Sequence, residues 1–300
     1  MDFSLELRDV RKRYGDFEAV RGLSFTVPPG TAFGLLGPNG AGKTTTIRMI
    51  MDIVAPDSGE VLFFGRPRQP DDLHKVGYLP EERGLYRKMG VLEHLVFLGE
   101  LHGLKRADAA ARARRWLERL ELADWAKKKV EELSKGMQQK IQLAGTVLHE
   151  PDILILDEPF SGLDPINQQL FKEAFAGFRS EGRTLLFSTH VMEQAEKLCD
   201  NICLISHGRA VLEGELKAIK RRLGGNSYRL VAEGDLEGLR ALPGVEQVLV
   251  SDGAAKVLLR DGAEGAELLH HAVAFLRVKE FRSEEPDLEE IFVKAVRDAN

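Results

Sequence analysis

Short stretches in which apolar and polar residues alternate fill the first part of the chain: "FSLELRDV" from residue 3, "LSFTV" from 23, "AFGLLG" from 32 and "GEVLFFG" from 59. They are separated by Pro28-Pro29-Gly30 and Asp57-Ser58-Gly59. A period of two bounded by such turn residues predicts strands. One helix, from about Lys43 to Ile53, starts directly after a glycine-rich loop. Over Val91 to Leu122 the pattern becomes helical, with Leu92, Leu95, Leu98 and Leu101 assigned to one face and Trp116, Leu117 and Leu120 to another. This predicts an inserted helical subdomain over about 87–150. The run "ILIL" at 153–156, a helix near Gln168 to Arg179 and "TLLFS" at 184–188 follow. Continuous apolar strands alternating with helices predict a parallel sheet covered on both faces.

The helical stretch "ELKAIKRRL" stops at Leu223-Gly224-Gly225-Asn226, so the chain divides into 1–223 and 226–300. The second unit reads as a strand "SYRLVA", a helix "LEGLRAL", strands "EQVLVS" and "AKVLLR", a helix "GAELLHHAVAFL" and a strand "VKEFR". Asp252-Gly253 makes a hairpin turn between the middle strands. The order βαββαβ predicts a small α+β, ferredoxin-like sandwich closed by the helix "LEEIFVKAV". Nothing in it looks catalytic, and it fits an interaction or dimerisation domain, with a ligand sensor as the sharper alternative.

A chain of 300 residues with 43% hydrophobic content can bury more than one core, and its formal net charge of −5 provides no global attraction for nucleic acid or an anionic bilayer. No run of about 18 apolar residues is present, so neither export of the chain nor membrane insertion is expected. The two cysteines, Cys199 and Cys203 in "KLCDNICLI", read as small apolar residues at a helix-to-strand corner. A metal site with His190 and His207 is imaginable, but the spacing is not that of paired zinc ligands. Two cysteines make no disulfide framework, and a reducing cytosol fits best.

Three motifs carry chemistry. "GPNGAGKTT" (37–45) matches G-x-x-x-x-G-K-[ST] through Gly37, Gly42, Lys43 and Thr44. Glycines let backbone N–H groups curl round phosphates without a Cβ clash, and the helix behind them adds its positive dipole end. Asn39, Gly40 and Thr45 complete this nucleotide cradle. Lys43 would reach the β and γ phosphates and Thr44 would place its hydroxyl on Mg²⁺. In "ILILDEP" an apolar strand delivers Asp157 and Glu158 at its C-terminal end, where ligands bind in open α/β sheets. Asp157 suits a Mg²⁺ shell, and Glu158 is placed to polarise the attacking water. In "STH" (188–190) a second strand ends on His190, which would orient Glu158 and the water against the γ-phosphate.

In order, "KRYGDF" with Tyr14, the phosphate loop, "LSKGM", "ILILDEP", "SGLDP" and "STH" make residues 3–220 resemble the nucleotide-binding subunit of an ABC transporter. The wording "LSKGMQQK", "PDLEEIF" and the C-terminal unit further resemble a bacterial exporter-type subfamily with a small appended domain. The resemblance implies a P-loop NTPase α/β core with an antiparallel β subdomain and the helical insertion. It also implies an ATPase using ATP and Mg²⁺, cytoplasmic and peripheral on the membrane through separate permease subunits, most simply in export. Two subunits, identical or different, would sandwich two ATP molecules head to tail. Tyr14 would then stack on adenine, Asp164 would lie in the loop crossing to the partner, and Ser134, Lys135 and Gly136 would face the partner's phosphates. Where the family places glutamine after "GYLP" this chain has Glu81, which can still accept Mg²⁺ or position water but lacks the amide donor. Lys135 stands where the family has glycine, a cation at the positive end of a helix.

Two other functional classes fit the chain less well. A soluble ABC-type ATPase acting on DNA or ribosomes would need a long coiled coil between the two halves, or two cassettes in one chain. The basic run "RARRWLER" (112–119) reads as an amphipathic helix in preference to a nucleic-acid patch, and no nucleic-acid partner is expected. A binding module without turnover is disfavoured because Asp157 and Glu158 are both retained.

Overall fold

The computed structural model describes residues 3–82, 84–223, 226–260, 262–284 and 287–298. The first elements are β1 (Leu5–Tyr14), β2 (Phe17–Val27), β3 (Ala32–Leu36), α1 (Lys43–Ile50), β4 (Ser58–Phe63), β5 (Arg66–Pro67) and β6 (Val76–Leu79). The helical insertion supplies α2 (Val91–Leu101), α3 (Arg106–Arg119) and α4 (Lys135–Val147). Then follow β7 (Ile153–Asp157), α5 (Pro165–Ser180), β8 (Thr184–Thr189), α6 (Met192–Leu198), β9 (Asn201–Ser206) and β10 (Arg209–Glu215). One sheet has the order β2-β1-β4-β5 and is antiparallel; the other has the order β10-β9-β3-β8-β7-β6, parallel from β9 to β6.

The parallel strands are buried on both faces, and their residues divide by parity as the pleat demands. Ile153 and Ile155 of β7 join Phe33, Leu35 and the α1 residues Ile47 and Ile50 in the core shared with the antiparallel sheet. Leu154 and Leu156 face the other way, onto Leu143 and Val147 of α4 and Phe171, Phe175 and Phe178 of α5. Helix α1 ends at Ile50, short of the expected Ile53, because Asp52 takes a left-handed φ of 59° that stops the chain from continuing.

In the helical subdomain the expected stripe of four leucines on α2 does not form. The buried positions are Val91, His94, Leu95, Val96 and Gly99, while Leu101 is exposed. Spacing of three falls behind the 3.6-residue turn, so the stripe follows i, i+4 and i+8 instead. Leu117 and Leu120 are buried as expected, with Trp116 partly covered.

His94 is fully buried and neither ring nitrogen has a hydrogen-bond partner; burial pushes its pKa down to about 4. The folded protein therefore refuses a proton that the unfolded chain accepts, so stability present above the unfolded value near 6.5 is lost as pH falls toward 4. The slope expected from one such group is about 1.4 kcal/mol per pH unit. His94→Leu should flatten this loss in urea unfolding between pH 6.5 and 4.5; an unchanged slope would remove His94 as its source.

The chain separates into two compact units between Glu213 and Gly214. This lies ahead of the glycine pair Gly224-Gly225, which itself falls outside the described residues. The helix before that pair, α7 (Leu216–Leu223), packs with the last helix, α9 (Leu288–Asp298), and so belongs to the second unit. That unit also holds β11 (Asn226–Glu233), β12 (Val245–Ser251), β13 (Ala254–Leu259), α8 (Gly265–Ala272) and β14 (Arg277–Ser283). Its sheet has the order β12-β13-β11-β14, every neighbouring pair antiparallel. The helix expected at "LEGLRAL" is a 3₁₀ turn over Leu236–Ala241, started by Asp235. Gly238 interrupts it and Pro243 follows, so a longer α-helix is not sustained. Among the described residues no helix is long and apolar enough to cross a membrane.

Candidate functional site

The register of the parallel sheet assembles the site. Leu36, the last residue of β3, pairs with Thr189, and Asp157 at the end of β7 pairs with Ser188. Three strands thus end level with one another, and the loops that leave them share one edge of the sheet.

The loop after β3 turns at Gly37, whose φ of 151° is accompanied by the Ile205 carbonyl oxygen only 2.2 Å from where a Cβ would stand. At Gly42, φ is 110° and a Cβ would meet the Ala19 carbonyl at 2.6 Å. No L side chain fits either place without moving backbone. Gly42 caps α1 with no side-chain hydrogen bond, so the first-turn N–H groups are left for a ligand. Lys43 begins that helix and its ammonium is folded inward, donating to the carbonyls of Gly37 at 2.8 Å and Pro38 at 3.2 Å. It also lies 3.4 Å from Glu158 Oε1, with the two side chains only 6% and 9% exposed.

Glu158 sits just past the strand with φ at 48°, a left-handed conformation costly for a residue with a Cβ. Its backbone N–H donates to Ser188 Oγ at 3.0 Å, which holds the turn. The same hydroxyl donates to Asp157 Oδ1 at 2.5 Å. Ser188 thereby locks both acidic residues from the neighbouring strand. The Glu158 carboxylate is contacted a second time, by His190 Nδ1 at 3.0 Å from the same Oε1, and the His190 ring is 46% exposed. One carboxylate oxygen is therefore shared by a buried ammonium and an accessible imidazole.

Asp157 is almost wholly buried. Burial pushes its carboxyl above the ordinary range, and the Ser188 and Thr44 hydroxyls pull it partly back. Its Oδ2 has no partner of hydrogen-bond geometry. A buried carboxylate with one open oxygen beside a hydroxyl is fitted to a cation.

Beside these groups an open cleft of about 400 Å³ is lined by Asn39, Gly40, Gly42, Lys43, Thr44, Thr45, Glu81, Glu158 and His190. Most of the predicted residues are thus brought together; Gly37, which accepts from Lys43, and the buried Asp157 next to Glu158 adjoin the cleft without lining it, while four others are placed differently and one aromatic ring is replaced. Ser134, Lys135, Gly136 and Asp164 are not part of its lining. They lie together elsewhere: Ser134 Oγ caps α4 by accepting from the Met137 N–H at 3.3 Å, and a Cβ on Gly136 would stand 2.8 Å from Asn167 Nδ2. Asp164 caps α5, accepting from the Asn167 N–H at 2.9 Å and from its side-chain amide at 2.5 Å.

The replacement concerns the aromatic ring. Tyr14 does not line the cleft, whereas Phe17 does. The two residues pair across the turn at Gly15-Asp16, and the Tyr14 ring is taken up by the Lys12 ammonium 5.7 Å from its centroid. Phe17 is exposed and stood three residues from Tyr14 in the same "KRYGDF" motif, so an aromatic search of the whole turn would have included it. Ser188 was missed as a functional group because a strand-end serine carries no signal until the strands are in register.

Helix α4 reaches both neighbouring loops. Gln142 Nε2 donates to the carbonyls of Pro80 at 3.1 Å and Glu82 at 3.4 Å, flanking Glu81, and Gln139 Nε2 donates to Ser161 at 3.1 Å. The cysteines are both free; Cys203 is buried, and burial raises both thiols, which leaves them as small apolar residues.

Comparison with known proteins places this geometry. Residues 20–161 match the family described as ABC transporter, and residues 214–296 match the C-terminal domain of DrrA1-3-like ATP-binding proteins. The chain is 43% identical to the ABC transporter ATP-binding protein YhaQ of Bacillus subtilis, over 97% of its own length and 98% of that protein. It is 42% identical to the Nod factor export ATP-binding protein I of Cupriavidus metallidurans, over 70% and 71% of the two chains. A solved ATP-binding subunit of an ABC transporter superposes with a TM-score of 0.68 at 32% identity, covering 73% of this chain and 92% of that one. The phosphate loop, the paired carboxylates and the near full-length identity agree: the chain belongs to the ABC transporter ATP-binding proteins, ATPases that bind and hydrolyse ATP to drive transport.

Proposed function

We propose that two ATP-binding subunits close head to tail on two ATP molecules and drive a separate membrane permease, in export. The observation that carries the reading is the single Glu158 oxygen shared by Lys43 and His190 at the mouth of the phosphate loop. A polyphosphate in that loop competes for the Lys43 ammonium and frees Glu158 to take a proton from water, with His190 holding the carboxylate in place. Mg²⁺ would be held by Asp157 and Thr44, with Glu81 on the same cleft, and it would neutralise charge on the phosphates. Among the described residues no three His, Cys, Asp or Glu side chains form a metal cage. That suits Mg²⁺, which takes one or two protein oxygens and completes its shell with phosphate and water. Adenine would stack at the hairpin that carries Tyr14 and Phe17.

The cap cluster of Ser134, Lys135, Gly136 and Asp164 lies outside the cleft of its own chain, so it is available to a partner's nucleotide. Closure would couple to the permease because ATP binds the closed state better than the open one. Export is supported by the Nod factor export relative. The second unit is read as an interaction domain. Purification from detergent-solubilised membranes tests the assignment: the chain should bring an integral membrane protein with it, and recovery with only ribosomes or DNA would overturn it.

Lys135 is the first residue of α4, with no acidic residue in that turn. Its charge opposes the helix dipole by about 0.3–1 kcal/mol, a cost relieved when a partner's triphosphate arrives. Lys135→Gly should therefore raise the ATP concentration needed for dimerisation by about two- to fivefold in sedimentation. An unchanged midpoint would show that Lys135 is only a solvated surface cation.

A further inference from the structure

The basic run "RARRWLER", set aside as one face of an amphipathic helix, leads to a cavity of about 200 Å³. Arg112, Arg115 and Arg119 reach it from α3, and Arg183 from the residue before β8. Its two acidic lining residues are already engaged: Glu150 with Arg112 at 3.1 Å and Glu181 with Arg183 at 2.9 Å. Arg115 and Arg119 have no carboxylate partner among the described residues. Two guanidinium groups thus converge on one cavity without compensation.

The guanidiniums are also pre-set. Arg112 donates to the Leu148 carbonyl at 3.1 Å. Arg119 lies 4.9 Å over the Trp116 ring and Arg183 lies 5.5 Å over Phe178, while the two rings pack at 6.2 Å between centroids. Stacked guanidiniums lose little freedom on binding and present planar donor forks suited to phosphate oxygens. Helix C-termini at Leu148 and Ser180 absorb part of the positive charge, about half a charge each, which still leaves the pocket cationic.

We propose that this cavity is a binding site for a phosphate-type oxyanion, separate from the nucleotide cleft. Arg183 precedes β8 and His190 follows it, so the two sites flank opposite ends of a strand about 20 Å long. The ligand would bridge α3 of the helical insertion to α5 and β8 of the core. Its phosphate could belong to a free anion or to a lipid headgroup, and these sources separate experimentally.

Trp116 is a built-in reporter, since the chain has only one other tryptophan, Trp125. In full-length Trp125→Phe protein, titration with inorganic pyrophosphate should give a saturable change in Trp116 emission. Adding Arg115→Ala should weaken that response by about tenfold or more, and Arg115→Lys should restore part of it. Affinity for ATP, measured with a fluorescent nucleotide, should be the same in all three. If pyrophosphate is silent but the protein floats with phosphatidylglycerol vesicles and not with phosphatidylcholine vesicles, and Arg115→Ala abolishes flotation, the site stands with a headgroup as its ligand. A pyrophosphate response untouched by Arg115→Ala, or no response to either probe, overturns the proposal and leaves the arginines as neutralisers of two helix ends.

Discussion

Replacing Glu158 with glutamine is expected to reduce ATP turnover by about 10²-fold or more while ATP binding is kept or strengthened. Glutamine has the same shape, and its carbonyl oxygen can still accept from His190 and Lys43 at the present distances of 3.0 Å and 3.4 Å. The turn at residue 158 is held through its backbone N–H and Ser188, which the substitution does not touch. What is lost is the base. What is gained is the removal of a carboxylate, 9% exposed, that would otherwise repel the γ-phosphate. The variant should therefore accumulate as an ATP-bound dimer in size exclusion with ATP and Mg²⁺, where the wild type cycles. Hydrolysis at the wild-type rate would remove Glu158 from its assigned role.

The second large effect is on binding. Lys43→Ala deletes a buried ammonium that donates to two loop carbonyls and pairs with Glu158. Truncating one member of a buried, hydrogen-bonded charge pair costs about 2–5 kcal/mol, so ATP affinity should fall by roughly 30- to 5,000-fold. The loss has two parts: the missing contact to phosphate, and a Glu158 carboxylate left beside Asp157 without its counter-charge. Lys43→Arg keeps the charge but not the compact head that fits under the loop, so it should recover only part of the affinity. Calorimetric titration with ATP reads the result, and a change smaller than about threefold would place the phosphates away from this lysine.

The local grammar of the chain was legible where neighbours in sequence make the feature. Gly37 to Thr45 encode the loop and the helix behind it in one continuous stretch, and the apolar strands before Asp157 and Ser188 announce where those residues emerge. The helical pattern over Val91 to Leu122 resolves into α2 and α3, and the buried stripe of α2 is not the run of leucines expected. His94 and Gly99 face inward, and at Gly99 the neighbours approach so closely that a Cβ would stand 2.8 Å from the Ala109 Cβ and 2.9 Å from Leu148 Cδ2, which a count of leucines cannot see. Tyr14 is the ring expected at the adenine, yet Phe17 of the same motif lines the cleft, and only the hairpin decides which ring turns toward it.

The boundary of the second unit was displaced for a related reason. The glycine pair marks the end of α7, but α7 packs with α9, a partner at the far end of the chain. The arginines of α3 were visible as a charged run, yet their convergence with Arg183 on one cavity depends on how α3 meets α5. By itself, the sequence determined the P-loop architecture, the order of its motifs and the identity of the residues able to handle phosphate, because these depend on contiguous residues and period. Only the tertiary structure decided that one oxygen of Glu158 meets both Lys43 and His190, that Ser188 locks both acids, and that the Ser134 to Gly136 cap lies outside the cleft of its own chain. Those outcomes rest on strand register and helix packing between segments far apart in the chain, and no local pattern of residues encodes them alone.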